Sequence, residues 1–249
     1  MLEWVGAGAF VVGVVFIAVS LFLLLRRTVD FRRLEQHNDV AGFIYSVVGI
    51  VYGVLLAFVV IVVWQHHAAT ERAVASEADS IIQIYRDADA FPQAFQDTLR
   101  ARLHGYAATV VAHAGRRSDG AGTALNALWN DYAQFVPLDA NDRTWYAEIL
   151  RRLNRLALDR EERLQAATQP IPALMWVVLL VGGAVTVGFS FLFGTSNVRS
   201  HALMIAGLTL TLALPIVVIW ALEHPFSALG RIDTAPLHHA LLILGGGLQ

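Results

Sequence analysis

Tyr45 and Tyr52 lie in a run, Val40 to Trp64, that contains no charged residue, and Gly42, Ser46, Gly49, Gly53 and Leu56 share their side of a helix at 100° per residue. Phenol and serine hydroxyls on an otherwise apolar helix can hydrogen-bond across to a neighbouring helix or line a wet cavity. Gly49 and Gly53 form a G-x-x-x-G, a spacing that lets helix backbones approach closely in a membrane. Two readings of this face stand side by side. It packs helices together, or it lines a pore, and an oligomer accommodates both. Asn38 and Asp39 precede the run. They are most economically a helix cap, and the functional rival is a ring of acid and amide groups selecting cations at a pore mouth. Glu77 borders the apolar face of the helix that follows. A salt bridge to an Arg is its plain role, and a gating or ion-binding carboxylate is the sharper one. His67 and Glu71 stand at i, i+4 as half of a metal site, but two ligands do not make one. His224, His238 and His239 come after the last apolar run and could join His66 and His67 only if the tail folds back. No metal site and no cofactor is assigned.

These residues need helices to position them. Trp4 to Leu25 is free of charge and long enough to cross a bilayer core of about 20 helical residues. It is expected to be an uncleaved anchor, because Glu3 precedes it with no basic residue and Arg26-Arg27 follow where a cleavage site would lie. Val40 to Trp64 is the second span and continues, without a Gly-Pro break, as an amphipathic helix through Tyr85. Between 65 and 170 apolar residues keep helical spacing four times over. Val74, Ala78, Ile81, Tyr85 and Ala88 begin the series; Phe95, Leu99, Leu103, Tyr106 and Val110 follow. Leu125, Trp129, Tyr132 and Phe135 mark a shorter helix, and Trp145, Ile149, Leu153, Leu156 and Leu164 a long one. Phe91-Pro92, Gly115 to Gly122 and Val136-Pro137 separate them, and Pro170 and Pro172 end the last. The Arg152, Arg155, Arg160, Arg163 series is expected to be a solvated face paired with Glu161 and Glu162. Spans three and four are expected over 171–194 and 202–222, with Gly182, Thr186, Ser190 and Gly194 as a packing row and Pro215 as a tolerated kink. Leu241 to Leu244, in the short tail, cannot span.

The expected fold is all-α: a four-transmembrane-helix integral membrane protein, with 1–64 carrying spans 4–25 and 40–64, a helical-bundle insert at 65–170, and 171–249 carrying the last two spans and the tail. Composition agrees. The chain is 56% hydrophobic and 15% charged, against about 25% charged in soluble domains. Its net charge of −2 argues against nucleic acid as a partner. Cysteine is absent, which excludes thiolate sites and Cys nucleophiles. No Ser-His-Asp arrangement, phosphate loop or zinc signature can be placed, so an enzyme is not expected. The partners are membrane lipid, further copies of the chain in a homo-oligomer, and inorganic ions if it conducts. The location is the cell membrane, multi-pass. Arg counts in the short loops put 26–39 in the cytoplasm and the insert outside, although counting every flanking Arg nearly balances the two sides.

The order of motifs resembles a bacterial membrane family of unknown function labelled bestrophin-like. The residues carrying the resemblance are Arg26-Arg27, the block His37-Asn38-Asp39-Val40-Ala41-Gly42-Phe43-Ile44-Tyr45, and Leu55-Leu56-Ala57-Phe58 to Trp64. Glu77-Ala78, Tyr85-Arg86, Trp176-Val177 through Gly188, Phe193-Gly194 and Pro225-Phe226 extend it over nearly the whole chain. Where relatives often have Pro-Phe-Ser-Gly, this chain has Pro225-Phe226-Ser227-Ala228. Bestrophins are pentameric ion channels whose second helix lines the pore, so the resemblance implies a homo-oligomeric channel lined by 40–64. It also implies a cytosolic helical domain, in conflict with the short-loop Arg count. The alternative function is a membrane-anchored sensor or scaffold whose insert binds a ligand or partner protein.

Overall fold

The computed structural model describes residues 2–28, 35, 37–113, 119–168, 171–224 and 227–246. Arg32, Arg33, Gly115, Pro170 and Pro225-Phe226 lie outside the described residues. Among those described there is no strand. The helices are α1 (Leu2–Thr28), α2 (Asn38–Asp87), a 3-10 turn (Ala88–Ala90), α3 (Gln93–Ala112), α4 (Asp119–Ala133), α5 (Ala140–Thr168), α6 (Ala173–Ser190), α7 (Val198–Glu223) and α8 (Ala235–Gly246). Four of them are long and apolar enough to cross a membrane: α1, α2, α6 and α7.

The chain divides into two compact units, 1–65 with 170–230 and 66–169 with 231–249. Helix α2 has 50 residues and belongs to both. It is about 75 Å long at 1.5 Å per residue, more than twice the hydrocarbon thickness.

In the first unit, α1 packs along α7, and α6 packs against α7. Phe22 and Ala18 of α1 are buried with Phe191 and Ile205, while Trp4, Phe16 and Ile17 stay exposed. A second cluster joins Tyr52, Leu56, Val59 and Val63 of α2 to Leu179 and Ile219. Exposed apolar side chains are the rule here, as expected of helices whose solvent is lipid. Span three is shorter than the 171–194 expected: α6 ends at Ser190, whose hydroxyl turns back to the Val187 carbonyl at 2.6 Å. Asn197 caps α7, accepting from the Arg199 and Ser200 amides at 3.1 and 3.2 Å. Pro215 lies inside α7 without ending it. At the other end of this unit Glu223 accepts from the Ile171 amide at 2.8 Å and from Trp176 Nε1 at 3.0 Å, tying the close of α7 to the start of α6.

In the second unit the helical periodicities converge. Val74, Ile81, Ile84, Leu99, Leu103, Leu128, Ile149, Leu153 and Leu156 are all buried, none more than 2% exposed. Asp139 and Asp142 form a reciprocal cap at the start of α5, with the Asp142 amide on Asp139 at 2.7 Å and the Leu138 amide on Asp142 at 3.1 Å. The tail is more than a tether. Leu237, Ala240 and Leu244 are buried, and α8 packs against α3 within this unit.

Candidate functional site

The polar strip of α2 splits into two faces. Tyr52 is 6% exposed and donates its hydroxyl to the Leu179 carbonyl at 2.9 Å. Its ring lies on two glycines of α6. A Cβ at Gly182 would meet Tyr52 Cδ2 and Cε2 at 2.7 Å, and one at Gly183 would meet the hydroxyl at 3.0 Å. Tyr45 sits between Phe189, stacked at 5.7 Å, and Phe193, edge-on at 5.5 Å. Leu56 is buried beside Leu179 and Ile219. A Cβ at Gly42 would meet Phe193 Cε1 at 3.9 Å. Asn38 donates to the Gly194 carbonyl at 2.8 Å and accepts from the Gly194 amide at 3.0 Å. Its side chain therefore ties α2 to the turn after α6. All five residues are turned towards other parts of the same chain.

The remaining residues of the strip are not. A Cβ at Gly49 or Gly53 would have no atom within 4 Å. Asp39, Ser46 and Gly53 are exposed and repeat every seven residues, which puts them on one line along the helix. The Ser46 hydroxyl turns back to the Gly42 carbonyl at 2.8 Å, so it presents an oxygen on that line without leaving the helix surface.

Glu77 is fully buried in the second unit. Arg163 donates to both of its oxygens, from Nε to Oε2 and from Nη2 to Oε1 at 3.3 Å. Tyr106 donates to Oε1 at 2.6 Å. Burial, then the Glu77 charge beside it, pushes the Tyr106 phenol well above its ordinary value. Burial pulls the Arg163 guanidinium down, and Glu77 and Tyr106 outweigh that and leave it raised. One turn away along α5, Asp159 is likewise buried and accepts from Ser76 at 2.9 Å, Ser80 at 2.7 Å and Arg155 at 3.0 Å. Arg152 pairs with Asp87 and Glu148. Of the Arg series of α5, Arg155 is exposed as expected, Arg152 and Arg160 are half-buried, and Arg163 departs from the solvated face expected with Glu161 and Glu162. Arg163 in particular is 2% exposed, because the buried Glu77 demands a cation.

His67 Nδ1 is 4.0 Å from Glu71, and His224 stacks on Trp220 at 4.6 Å. Among the described residues no group of three or more His, Asp or Glu could hold a metal ion.

Solved structures share this fold. A membrane protein carrying a point mutation is matched with a TM-score of 0.75 at 14% identity, over 96% of this chain and 99% of that one. A variant of a bacterial bestrophin homologue from Klebsiella pneumoniae gives 0.75 at 14% identity, over 95% and 99%. The same homologue solved by zinc phasing gives 0.71 at 13%, over 95% and 96%. No curated protein matches by sequence. The Bestrophin-like domain family model covers residues 12–237, and with four apolar helices long enough to span and the α2 block intact, the chain belongs to the bestrophin-like family.

Proposed function

We propose that this membrane protein is a homo-oligomeric ion channel whose pore is lined by the outward row Asp39, Ser46 and Gly53 of α2, with Gly49 at its edge. The observation that carries the reading is the division of the α2 strip. Its tyrosines, Asn38, Gly42 and Leu56 are engaged within the chain, whereas a row of small and polar residues is left uncovered. Lipid offers such a row nothing, and a carboxylate facing hydrocarbon is costly. Around a symmetry axis the row would meet its copies, small residues would leave room for ions, and the ring of Asp39 groups at one end would favour cations. Tyr52 and Leu56 hold α2 against α6 and are not part of the lining.

Flux of monovalent cations into proteoliposomes tests this. Gly53→Leu should abolish or sharply reduce flux while leaving the thermal midpoint unchanged, since the space beside Gly53 is open within the chain. Asp39→Asn should lower the preference for cations over anions. A purified protein that is monomeric and passes no ion would end the proposal.

The insert side is part of the same proposal. Arg72, Arg155, Arg160, Arg163 and Arg231 flank the spans on the insert side and offset Arg26, Arg27, Arg32, Arg33 and Arg199 on the other. With that balance near zero we assign the insert to the cytoplasm, as the bestrophin resemblance implies, against the count of short loops alone. Glu77, paired on both oxygens, serves in the insert's core in this reading and does not bind the ion.

A further inference from the structure

A cavity of about 470 Å³ opens between α1, α6 and α7, on helices that supply none of the proposed pore row. Its walls are Phe10, Leu180, Ile216 and Val217 with the rings of Trp176 and Trp220. Glu3 is the one charged residue among those that line it. The Glu3 carboxylate is fixed at the mouth by the Ala228 amide, which donates to Oε2 at 2.6 Å. Trp176 is fixed in turn by its Nε1 bond to Glu223 at 3.0 Å, and Trp220 is backed by the stacked His224. Among the described residues no Arg or other cation lines the cavity.

We infer that this cavity binds a lipophilic organic cation, a quaternary ammonium or phosphonium centre carrying apolar groups. Three features agree on that chemistry. The volume lies within the range of small-molecule sites, about 300–1,000 Å³. The apolar walls take a hydrocarbon body out of water. Two tryptophans and one carboxylate on the lining then offer a delocalised cation what it cannot obtain from lipid, aromatic rings and an opposite charge. An anion of the same shape would meet the Glu3 charge. Gly6 sits in the wall with nothing within 4 Å of a Cβ, so the groove can be filled from there without disturbing its neighbours.

Tetraphenylphosphonium is the probe, titrated against the tryptophan fluorescence of the purified full chain in detergent, with tetraphenylborate as the anion of matched shape. Saturable quenching by the phosphonium, with the borate at least about tenfold weaker, is expected. Glu3→Gln should weaken the phosphonium about tenfold and narrow its lead over the borate, and Glu3→Asp should restore part of it. Gly6→Leu should abolish binding of both while the helical circular dichroism and oligomeric state stay as in the parent. Trp220→Leu should remove most of the quenching signal. Equal binding of the two ions to the parent, an unchanged affinity in Glu3→Gln, or full binding in Gly6→Leu would each overturn the inference. Ion flux is not the readout, so failure of the channel proposal leaves this result standing.

Discussion

Glu77 and Arg163 form a bidentate pair in the second unit, on residues that are 0% and 2% exposed. Tyr106 closes the site with a third hydrogen bond. A buried pair of this kind is weak evidence for net stability, since desolvation consumes most of the Coulomb gain. Its consequence is asymmetry. Glu77→Gln or Arg163→Met leaves one buried charge without its counterpart and should cost about 3–5 kcal/mol. Replacing the set together, Glu77→Leu with Tyr106→Phe and Arg163→Met, should recover most of that. Thermal unfolding of the purified protein, followed by circular dichroism, checks the order. Single and combined variants falling equally would show that the site carries a role that apolar packing cannot replace.

The raised Tyr106 phenol sets a pH limit. Below about pH 10 it is neutral in both folded and unfolded chains and costs nothing. Above that the unfolded chain releases its proton while the folded one holds it, so stability falls as pH rises from about 10 towards the folded value. Tyr132, also raised by burial, acts in the same direction. The thermal midpoint should therefore drop between pH 9.5 and 11 by about what one to two tyrosines supply, at most ~1.4 kcal/mol per group and pH unit. Tyr106→Phe should lower the midpoint at neutral pH by loss of one hydrogen bond and flatten the alkaline decline. A parent protein with a level midpoint across that interval would contradict the assignment.

Gly182 is defined by Tyr52. With Tyr52 ring atoms 2.7 Å from where its Cβ would be, Gly182→Ala must displace the ring and loosen its bond to Leu179, at a cost of about 1–3 kcal/mol. Tyr52→Leu in the same chain should return part of it. Gly49→Ala, which meets nothing in the chain, should be neutral for unfolding of a dissociated subunit in harsh detergent. Equal losses from Gly182→Ala and Gly49→Ala would mean that the α2–α6 contact is placed elsewhere.

This last pair shows how far the sequence carries. Charge-free runs reveal α1, α2, α6 and α7, because a bilayer imposes length and apolarity on every spanning helix. The spacing of Val74, Leu99, Leu125 and Ile149 and their partners reveals the insert's helices for an equally local reason. What escapes is tertiary. Gly49 and Gly53 carry the better-known spacing, yet the close approach occurs at Gly182 and Gly183, because a tyrosine and not a second helix backbone fills the gap. Arg163 looks like its exposed neighbours along α5 until Glu77 is seen opposite. Leu244 reads as part of a short apolar run that cannot span, and it and Leu237 become core only in the helix that packs on α3. The cavity beside Glu3 needs α1 together with α6 and α7, far along the chain from it, and has no local pattern. Of the α2 strip, the sequence identifies the residues but not which neighbour each one meets.

The side of the membrane occupied by the insert can be decided because the chain has no cysteine. Leu138 is 83% exposed on the loop before α5, so Leu138→Cys offers a single reactive thiol on the insert. Ser200 is exposed beside the α6–α7 turn, and Ser200→Cys offers one on the opposite side at nearly constant volume. A membrane-impermeant maleimide applied to intact cells should label Ser200→Cys and spare Leu138→Cys until the cells are opened. That outcome fits a near-zero Arg bias overridden by the topology of the family. It also puts the Asp39 ring at the outer mouth of the proposed pore, since Asn38 is bonded to the Gly194 turn on the Ser200 side. The reverse labelling would restore the reading of the short 26–39 loop as cytoplasmic and move the Asp39 ring to the inner mouth. In that case divalent cations should act on conductance from the cytoplasmic face and not from outside.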